Sequence, residues 1–227
     1  ERNEKINLFK NNKSLGSWGK EKMHEFQGKV SMELTSFFHG MSDSDWTAVF
    51  HGSTLFRGNN CLMLTGDSGS GKSSLSAILM ANNFALIADD FSPMDDKGIH
   101  YNFPSAISIK EGFYSVAKKL YKSFSELNEY YINDIKGNVK YLADNIDKPV
   151  LKSSCNTILN VKFGSDLKNE IKAINKGKAL EKILPDAWIS KDIKDAKAFI
   201  TFISFFKSAP NLTFNIVLQL LLSIDLS

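Results

Sequence analysis

A glycine-rich segment at residues 66–73 reads Gly-Asp-Ser-Gly-Ser-Gly-Lys-Ser and has the spacing G-x-x-x-x-G-K-S. Glycines at this spacing let the backbone curl so that successive N–H groups face phosphate oxygens. Lys72 is then placed to reach the β- and γ-phosphates, and the Ser73 hydroxyl to ligate Mg²⁺. The helix expected after the loop adds the positive end of its dipole. The segment predicts a site for a nucleoside triphosphate, with candidate binding residues Gly66, Asp67, Ser68, Gly69, Ser70, Gly71, Lys72, Ser73 and Ser74.

Two adjacent carboxylates, Asp89 and Asp90, follow an apolar run that predicts a buried strand over residues 84–88. Side chains alternate along a strand, so neighbouring carboxylates are able to serve different tasks. One is suited to hold Mg²⁺ opposite Ser73, and the other to accept a proton from an incoming hydroxyl. The residues alone leave open which of the two does which.

His51 and Gly52 follow another apolar strand segment. Taken by itself, a histidine in this position is more often a structural residue than a functional one. The other three histidines, His24, His39 and His100, are interpreted as structural.

Composition limits the class of protein. The chain has 227 residues, 43% of them hydrophobic, which is enough for one α/β domain, alone or with a small appendage. Its net charge of +3 is spread along the sequence and does not indicate nucleic-acid binding. The longest apolar run, residues 216–222, is too short to span a membrane. Cys61 and Cys155 lack metal-ligand spacing and predict buried, reduced thiols, so we expect a cytoplasmic protein.

The remaining elements are predicted from periodicity and turn residues. Residues 1–19 are expected to be a polar loop or arm, and residues 211–217 fit either a strand or the start of a helix. Helices are predicted over residues 20–39, 75–82, 111–120, 178–184 and 192–206. Strands are predicted over 47–56, 61–65, 84–88 and 157–163, with turns or hairpins at 57–60 and 91–102.

Three motifs together resemble the bacterial HPr kinase/phosphorylase family: His51-Gly52, the 66–73 loop, and the run Leu-Ile-Ala-Asp-Asp at residues 86–90. The separations between the three motifs match that family too, and the resemblance covers roughly residues 46–110. It implies an α/β fold, specifically a phosphoenolpyruvate-carboxykinase-like P-loop domain with a mixed sheet and flanking helices. It also implies ATP and Mg²⁺ as cofactors, with a carrier-protein serine as the acceptor.

Residue by residue, the resemblance implies that Asp89 is the general base, that Asp90 and Ser73 contact Mg²⁺, and that Lys72 holds the phosphates. It implies that His51 lines the γ-phosphate pocket. The resemblance leaves open which of Asp89 and Asp90 is the base and which contacts Mg²⁺. Lys110, at the end of the stretch 103–110, resembles a lysine that follows a proline-containing segment in divergent relatives, which implies that it supplies the cation that arginine supplies elsewhere. The alternative is a solvated lysine at the start of a helix.

The chain also departs from the family. Ser74 stands where the family has a glutamate, and the family's C-terminal arginine signature is absent because no arginine follows Arg57. These departures put phosphorolysis and a true HPr substrate in doubt. They favour the divergent relatives that modify serines of ribosomally made peptides.

The resemblance divides the chain into an N-terminal polar arm and helix, 1–45, and a P-loop kinase domain, 46–227. Within the latter, residues 121–148 are polar and contain four tyrosines, and we interpret them as a surface excursion that selects the substrate. The alternative is a solvent-facing pair of helices.

We therefore expect an ATP/Mg²⁺-dependent kinase acting on a serine of a peptide or small protein. The alternatives are a kinase of a small hydroxylated metabolite and a nucleotide-binding regulatory module with slow hydrolysis. A decarboxylating carboxykinase is disfavoured because its metal-binding His/Lys set and substrate arginines are not found in the sequence. No nucleic-acid or membrane partner is expected, and the sequence leaves open whether the chain forms a homo-oligomer.

Overall fold

The computed structural model describes residues 5–134, 136–143, 150–164, 170–189 and 211–216. The chain divides into two compact units, Glu1–Asp45 and Trp46–Ser227. The described residues form an α/β structure with mixed sheets. The strands are β1 (Ile6–Lys10), β2 (Lys13–Trp18), β3 (Trp46–Phe50), β4 (Ser53–Arg57), β5 (Asn60–Thr65), β6 (Ala85–Ala88), β7 (Ser92–Asp95), β8 (Ile99–Tyr101), β9 (Ile107–Lys110), β10 (Glu129–Asn133), β11 (Gly137–Leu142), β12 (Lys152–Ser154), β13 (Thr157–Phe163), β14 (Glu170–Ala173), β15 (Ala187–Ile189) and β16 (Asn211–Ile216). The α-helices are α1 (Met23–His39), α2 (Lys72–Ala81), α3 (Tyr114–Leu120) and α4 (Lys176–Ile183).

The first unit contains a β-hairpin followed by a helix. The expectation of a loop over residues 1–19 is wrong for the described part, because β1 and β2 pair antiparallel. Asn11 and Asn12, with φ of 49° and 63°, form the turn, and asparagine tolerates this left-handed backbone. The predicted helix over 20–39 is confirmed as a short 3-10 turn followed by α1, which ends at the left-handed Gly40.

A mixed six-stranded sheet forms the centre of the second unit, in the order β14-β16-β13-β5-β4-β6. β5, β13 and β16 are parallel, whereas β4 runs antiparallel to both β5 and β6. Consequently the carboxyl ends of β5, β6 and β13 and the start of β4 lie at one edge of this sheet. The residues that follow those strands are brought together at that edge.

Alternation along β5 gives the sheet two apolar faces. Leu64 packs into a cluster with Leu75 and Ile78 of α2, which also includes residues of α3. Cys61 and Met63 point the other way, into a second cluster with Phe50 of β3. The six-stranded sheet is thus covered by α2 and α3 on one face, and by a second sheet together with α4 on the other.

The second sheet is antiparallel, in the order β12-β8-β7-β3-β15. The single strand predicted over residues 47–56 is wrong: β3 belongs to this sheet and β4 to the six-stranded one. His51 and Gly52 connect β3 to β4 and so link the two sheets. A Cβ at Gly52 would lie 2.4 Å from the Leu64 carbonyl oxygen, so this crossing requires glycine.

Residues 121–142 contain strands in place of the helix pair considered as an alternative. A short 3-10 helix, Lys122–Glu126, precedes β10 and β11, which continue a three-stranded sheet in the order β10-β11-β9. Phe124 and Leu142 are buried in the core, whereas every residue of β10 is exposed. Part of the segment is therefore core, and its outer strand is surface. Residues 144–148 lie outside the described residues.

Most other predicted elements are confirmed. β4 and β5 form the hairpin at 57–60, and β7 and β8 the hairpin within 91–102. The predicted strands 84–88 and 157–163 correspond to β6 and β13, and helices 75–82, 111–120 and 178–184 to α2, α3 and α4 within a few residues. Residues 211–216 form a strand, and the predicted helix 192–206 lies outside the described residues. Cys61 and Cys155 are buried and free, as predicted. Within the described part of the chain, no helix is both long and apolar enough to cross a membrane.

Candidate functional site

The glycine-rich loop leaves β5 and turns directly into α2, as its sequence predicted. Gly66, Gly69 and Gly71 have φ of 137°, 84° and 93°, a region that side-chain-bearing residues rarely adopt. Gly66 also passes so close to β13 that a Cβ would lie 2.5 Å from the Val161 carbonyl oxygen. These glycines are therefore needed for the path of the loop itself.

Lys72 occupies the inside of this loop. Its ammonium donates to the carbonyl oxygens of Gly66 at 2.5 Å and Asp67 at 3.1 Å, and the residue is only 9% exposed. The Ser70 hydroxyl is also buried and has no hydrogen-bond partner among the described residues. A buried cation held by neutral carbonyls beside an unpaired hydroxyl is a favourable environment for an anion.

Other residues of the loop and of the helix start are exposed or partly buried. Asp67, Ser68 and Gly69 are exposed, and Ser73 and Ser74 are partly buried at the start of α2. All the candidate nucleotide-binding residues thus belong to one continuous loop and helix start.

Asp89 lies at the end of β6 and is 6% exposed. The Ser53 hydroxyl at the start of β4 donates to its carboxylate, and the Ser105 hydroxyl donates to its backbone carbonyl at 3.1 Å. Burial raises the pKa of Asp89 to about 6; the Ser53 hydrogen bond, Lys72 and His51 oppose this effect, and Asp90 adds to it. A carboxyl group with this pKa is ionised at neutral pH yet remains a competent proton acceptor.

Asp90 differs from Asp89 in exposure and in contacts. Its side chain is 64% exposed and lies 3.3 Å from Nε2 of His51, whose side chain is 49% exposed. Asp90 has a φ of 63°, a left-handed conformation that aspartate tolerates better than most residues. The turn after β6 therefore leaves Asp89 buried and Asp90 at the surface.

Lys110 lies at a different part of the site. It lines a cleft of about 210 Å³ together with Gly69, Ser70, Gly71 and Ser74 of the loop, and with Phe163. Neither Asp89 nor Asp90 lines this cleft. The structure thus groups Lys72, His51, Asp89 and Asp90 near one another and places Lys110 beside the loop.

Sequence reasoning missed Ser53 and Ser105. Ser53 was hidden inside the single strand predicted over residues 47–56, although its position directly after His51-Gly52 was a usable signal. Ser105 lies in the proline-containing stretch before Lys110, and nothing in its spacing pointed to Asp89.

Magnesium is compatible with the oxygen donors near the loop. No cluster of three or more His, Cys, Asp or Glu side chains that could hold a metal occurs within the described residues. Mg²⁺, however, usually takes one or two protein oxygens and completes its shell with phosphate oxygens and water. The Ser73 hydroxyl and the exposed Asp90 carboxylate fit that use.

Comparison with known proteins found similarity in structure. No protein-family model matches the chain, and no curated protein matches it. Among solved structures it is similar to the Hpr(Ser) kinase/phosphatase from Coxiella burnetii, with 16% identity over 78% of this chain and 90% of that chain and a TM-score of 0.36. A TM-score below 0.5 leaves the fold and the site to be argued from this chain's own residues.

Proposed function

We propose that this chain is an ATP/Mg²⁺-dependent kinase that transfers the γ-phosphate to a serine hydroxyl of a peptide or small protein. The observation that carries the proposal is the meeting of the Lys72 loop and the buried Asp89 carboxylate at one edge of the six-stranded sheet. We assign residues 46–227 to a phosphoenolpyruvate-carboxykinase-like P-loop kinase domain, and residues 1–45 to a separate arm and helix.

In this proposal the loop amides and Lys72 bind the β- and γ-phosphates. Mg²⁺ held by Ser73 and Asp90 would neutralise phosphate charge. Asp89 accepts the proton of the serine hydroxyl as that oxygen forms a bond to the γ-phosphorus and the bond to the β-phosphate oxygen breaks. Ser53 fixes the orientation of the Asp89 carboxylate, and His51 lies beside Asp90 at the phosphate end.

The strand β10 supports a peptide as the acceptor. It is an edge strand whose five residues are all exposed, and it presents Tyr130 and Tyr131 to solvent. Edge strands offer unpaired backbone groups to an extended peptide, and tyrosine packs on such chains at low entropic cost. These features favour a peptide over a small metabolite.

A degenerate peptide library with one fixed serine tests this function. With [γ-³³P]ATP and Mg²⁺, we expect label in the serine library and little in the matched library with alanine at that position. Replacing Tyr130 and Tyr131 by serine should lower peptide labelling at least tenfold and leave ATP hydrolysis unchanged. These two exposed residues are better targets than deletion of the whole segment, which would remove the buried Phe124 and Leu142.

Two results would contradict parts of the proposal. Nucleotide binding with no transfer to any hydroxyl would favour the regulatory module. Unchanged labelling in the tyrosine variant, with transfer to small hydroxylated compounds, would favour the metabolite kinase.

A further inference from the structure

Phosphoryl transfer needs cationic groups around the terminal phosphate, and arginine does not provide them in the described residues. Arg57 is the one arginine there, and it ends β4 at the opposite edge of the sheet from the loop. Its guanidinium packs 5.4 Å from the centre of the Phe84 ring. Among the described side chains, a further permanent cation at the site is therefore a lysine.

Lys182 of α4 is directed toward the edge that carries the loop. Its ammonium donates to the Asn160 side-chain oxygen at 3.4 Å, and the Asn160 amide donates to the Thr65 hydroxyl, also at 3.4 Å. Asn160 and Thr65 are register partners on the parallel strands β13 and β5. Thr65 is the last residue of β5, so this chain of contacts ends one residue before Gly66.

Lys182 has only neutral hydrogen-bond partners among the described residues. The side chain is partly buried, and it forms no ion pair within the described part of the structure. Asn160 and Thr65 are both buried and neutral. A partly buried ammonium with only neutral partners is better stabilised when an anion binds beside it.

Hydrogen bonds connect Lys182 and Lys72 to neighbouring residues, Thr65 and Gly66, where β5 ends and the loop begins. Lys72 donates to the Gly66 carbonyl from within the loop. In the sheet order, Lys182 lies beside β13, on one side of β5. Asp89 and Ser53 lie on the other side of β5, at β6 and β4.

We propose that Lys182 binds the terminal phosphate of the nucleoside triphosphate and so lets the site distinguish a triphosphate from a diphosphate. This inference rests on the proposed nucleotide site. It assigns to that site a residue that neither the loop motif nor the pair Asp89 and Asp90 indicates. Asn160 holds the ammonium in place before the nucleotide arrives.

Calorimetric titration of ATP and ADP with excess Mg²⁺ tests the inference without any acceptor. Lys182→Gln keeps a hydrogen-bond donor for Asn160 but removes the charge. We expect it to weaken ATP binding by about 10- to 100-fold, the usual range for a charge-assisted contact, and to change ADP binding less than twofold. Lys182→Arg should restore most of the ATP affinity, and Lys119→Gln, an exposed lysine in α3, should change neither affinity.

Equal weakening of ATP and ADP, or an unchanged ratio of their affinities, would overturn the role of Lys182. If the wild-type chain binds neither nucleotide, the proposed function fails as well, so the two failures are distinguishable. A measurement on the wild-type protein tests the same inference without relying on a variant that folds correctly. ATP, but not ADP, should protect Lys182 of the wild-type protein from acetylation, as read by mass spectrometry, and absence of that protection would overturn the inference.

Discussion

Asp89→Asn should slow phosphoryl transfer by about 10²- to 10⁴-fold, the usual contribution of a positioned general base, while ATP·Mg²⁺ binding stays close to wild type. The amide still accepts the Ser53 hydrogen bond, so the geometry at the end of β6 is retained. What is lost is the ability to take the proton. Single-turnover rates and calorimetric affinities separate the two effects.

The pH dependence of the same variant provides an independent check. Burial raises the pKa of Asp89 to about 6, so the wild-type rate should rise with pH through about 6 as the carboxyl ionises. Asp90→Asn keeps Asp89 and should retain a rise, moved to lower pH because the Asp90 charge helps to raise the pKa of Asp89, while weakening Mg²⁺-dependent nucleotide binding. Asp89→Asn should lack it.

Stability should change in the opposite direction from activity. Between pH 3.8 and about 6 the folded protein retains a proton on Asp89 that the unfolded chain has released. The stability that this carboxyl contributes is therefore full at low pH and is lost as pH rises through that interval. At pH 7.5 we expect Asp89→Asn to raise the free energy of unfolding by about 1–3 kcal/mol. A destabilised variant with normal turnover would mean that Asp89 is only a structural carboxylate.

Lys72→Ala should weaken binding of both ATP and ADP and remove most of the activity. The lost charge-assisted contact is worth about 1.5–3 kcal/mol, or roughly 10- to 150-fold in affinity. The Gly66 and Asp67 carbonyls also lose their donor, so the loop loses part of its internal support. Calorimetry measures the affinities, with Lys119→Ala as the exposed control.

The affinity for ADP distinguishes the role of Lys72 from that of Lys182. Lys72 reaches both the β- and γ-phosphates in this account, whereas Lys182 reaches only the terminal one. Unchanged affinity and turnover in Lys72→Ala would show that the nucleotide does not bind at this loop.

Much of the site could be predicted because it depends on local sequence. The loop path follows from glycines that are needed where φ is positive, and the carboxylates were located because they end an apolar run. Local patterns also gave the β4–β5 and β7–β8 hairpins correctly.

Long-range packing could not be predicted in the same way. An apolar run at residues 47–56 looks the same whether it forms one strand or crosses between two sheets at Gly52. The Asp89 carboxylate accepts a hydrogen bond from Ser53, 36 residues earlier in the chain, and Lys182 reaches Asn160 across 22 residues. Such pairs are set by strand order, which periodicity does not encode.

Hydrogen–deuterium exchange with and without a non-hydrolysable Mg²⁺·ATP analogue is a direct test of nucleotide binding at the glycine-rich loop. We expect slower amide exchange in peptides that cover residues 66–75, with weaker protection around residues 51–54 and 88–91. The α3 peptide around Lys119 should not change. Unchanged exchange across residues 66–75 under saturating nucleotide would show that the loop does not bind nucleotide.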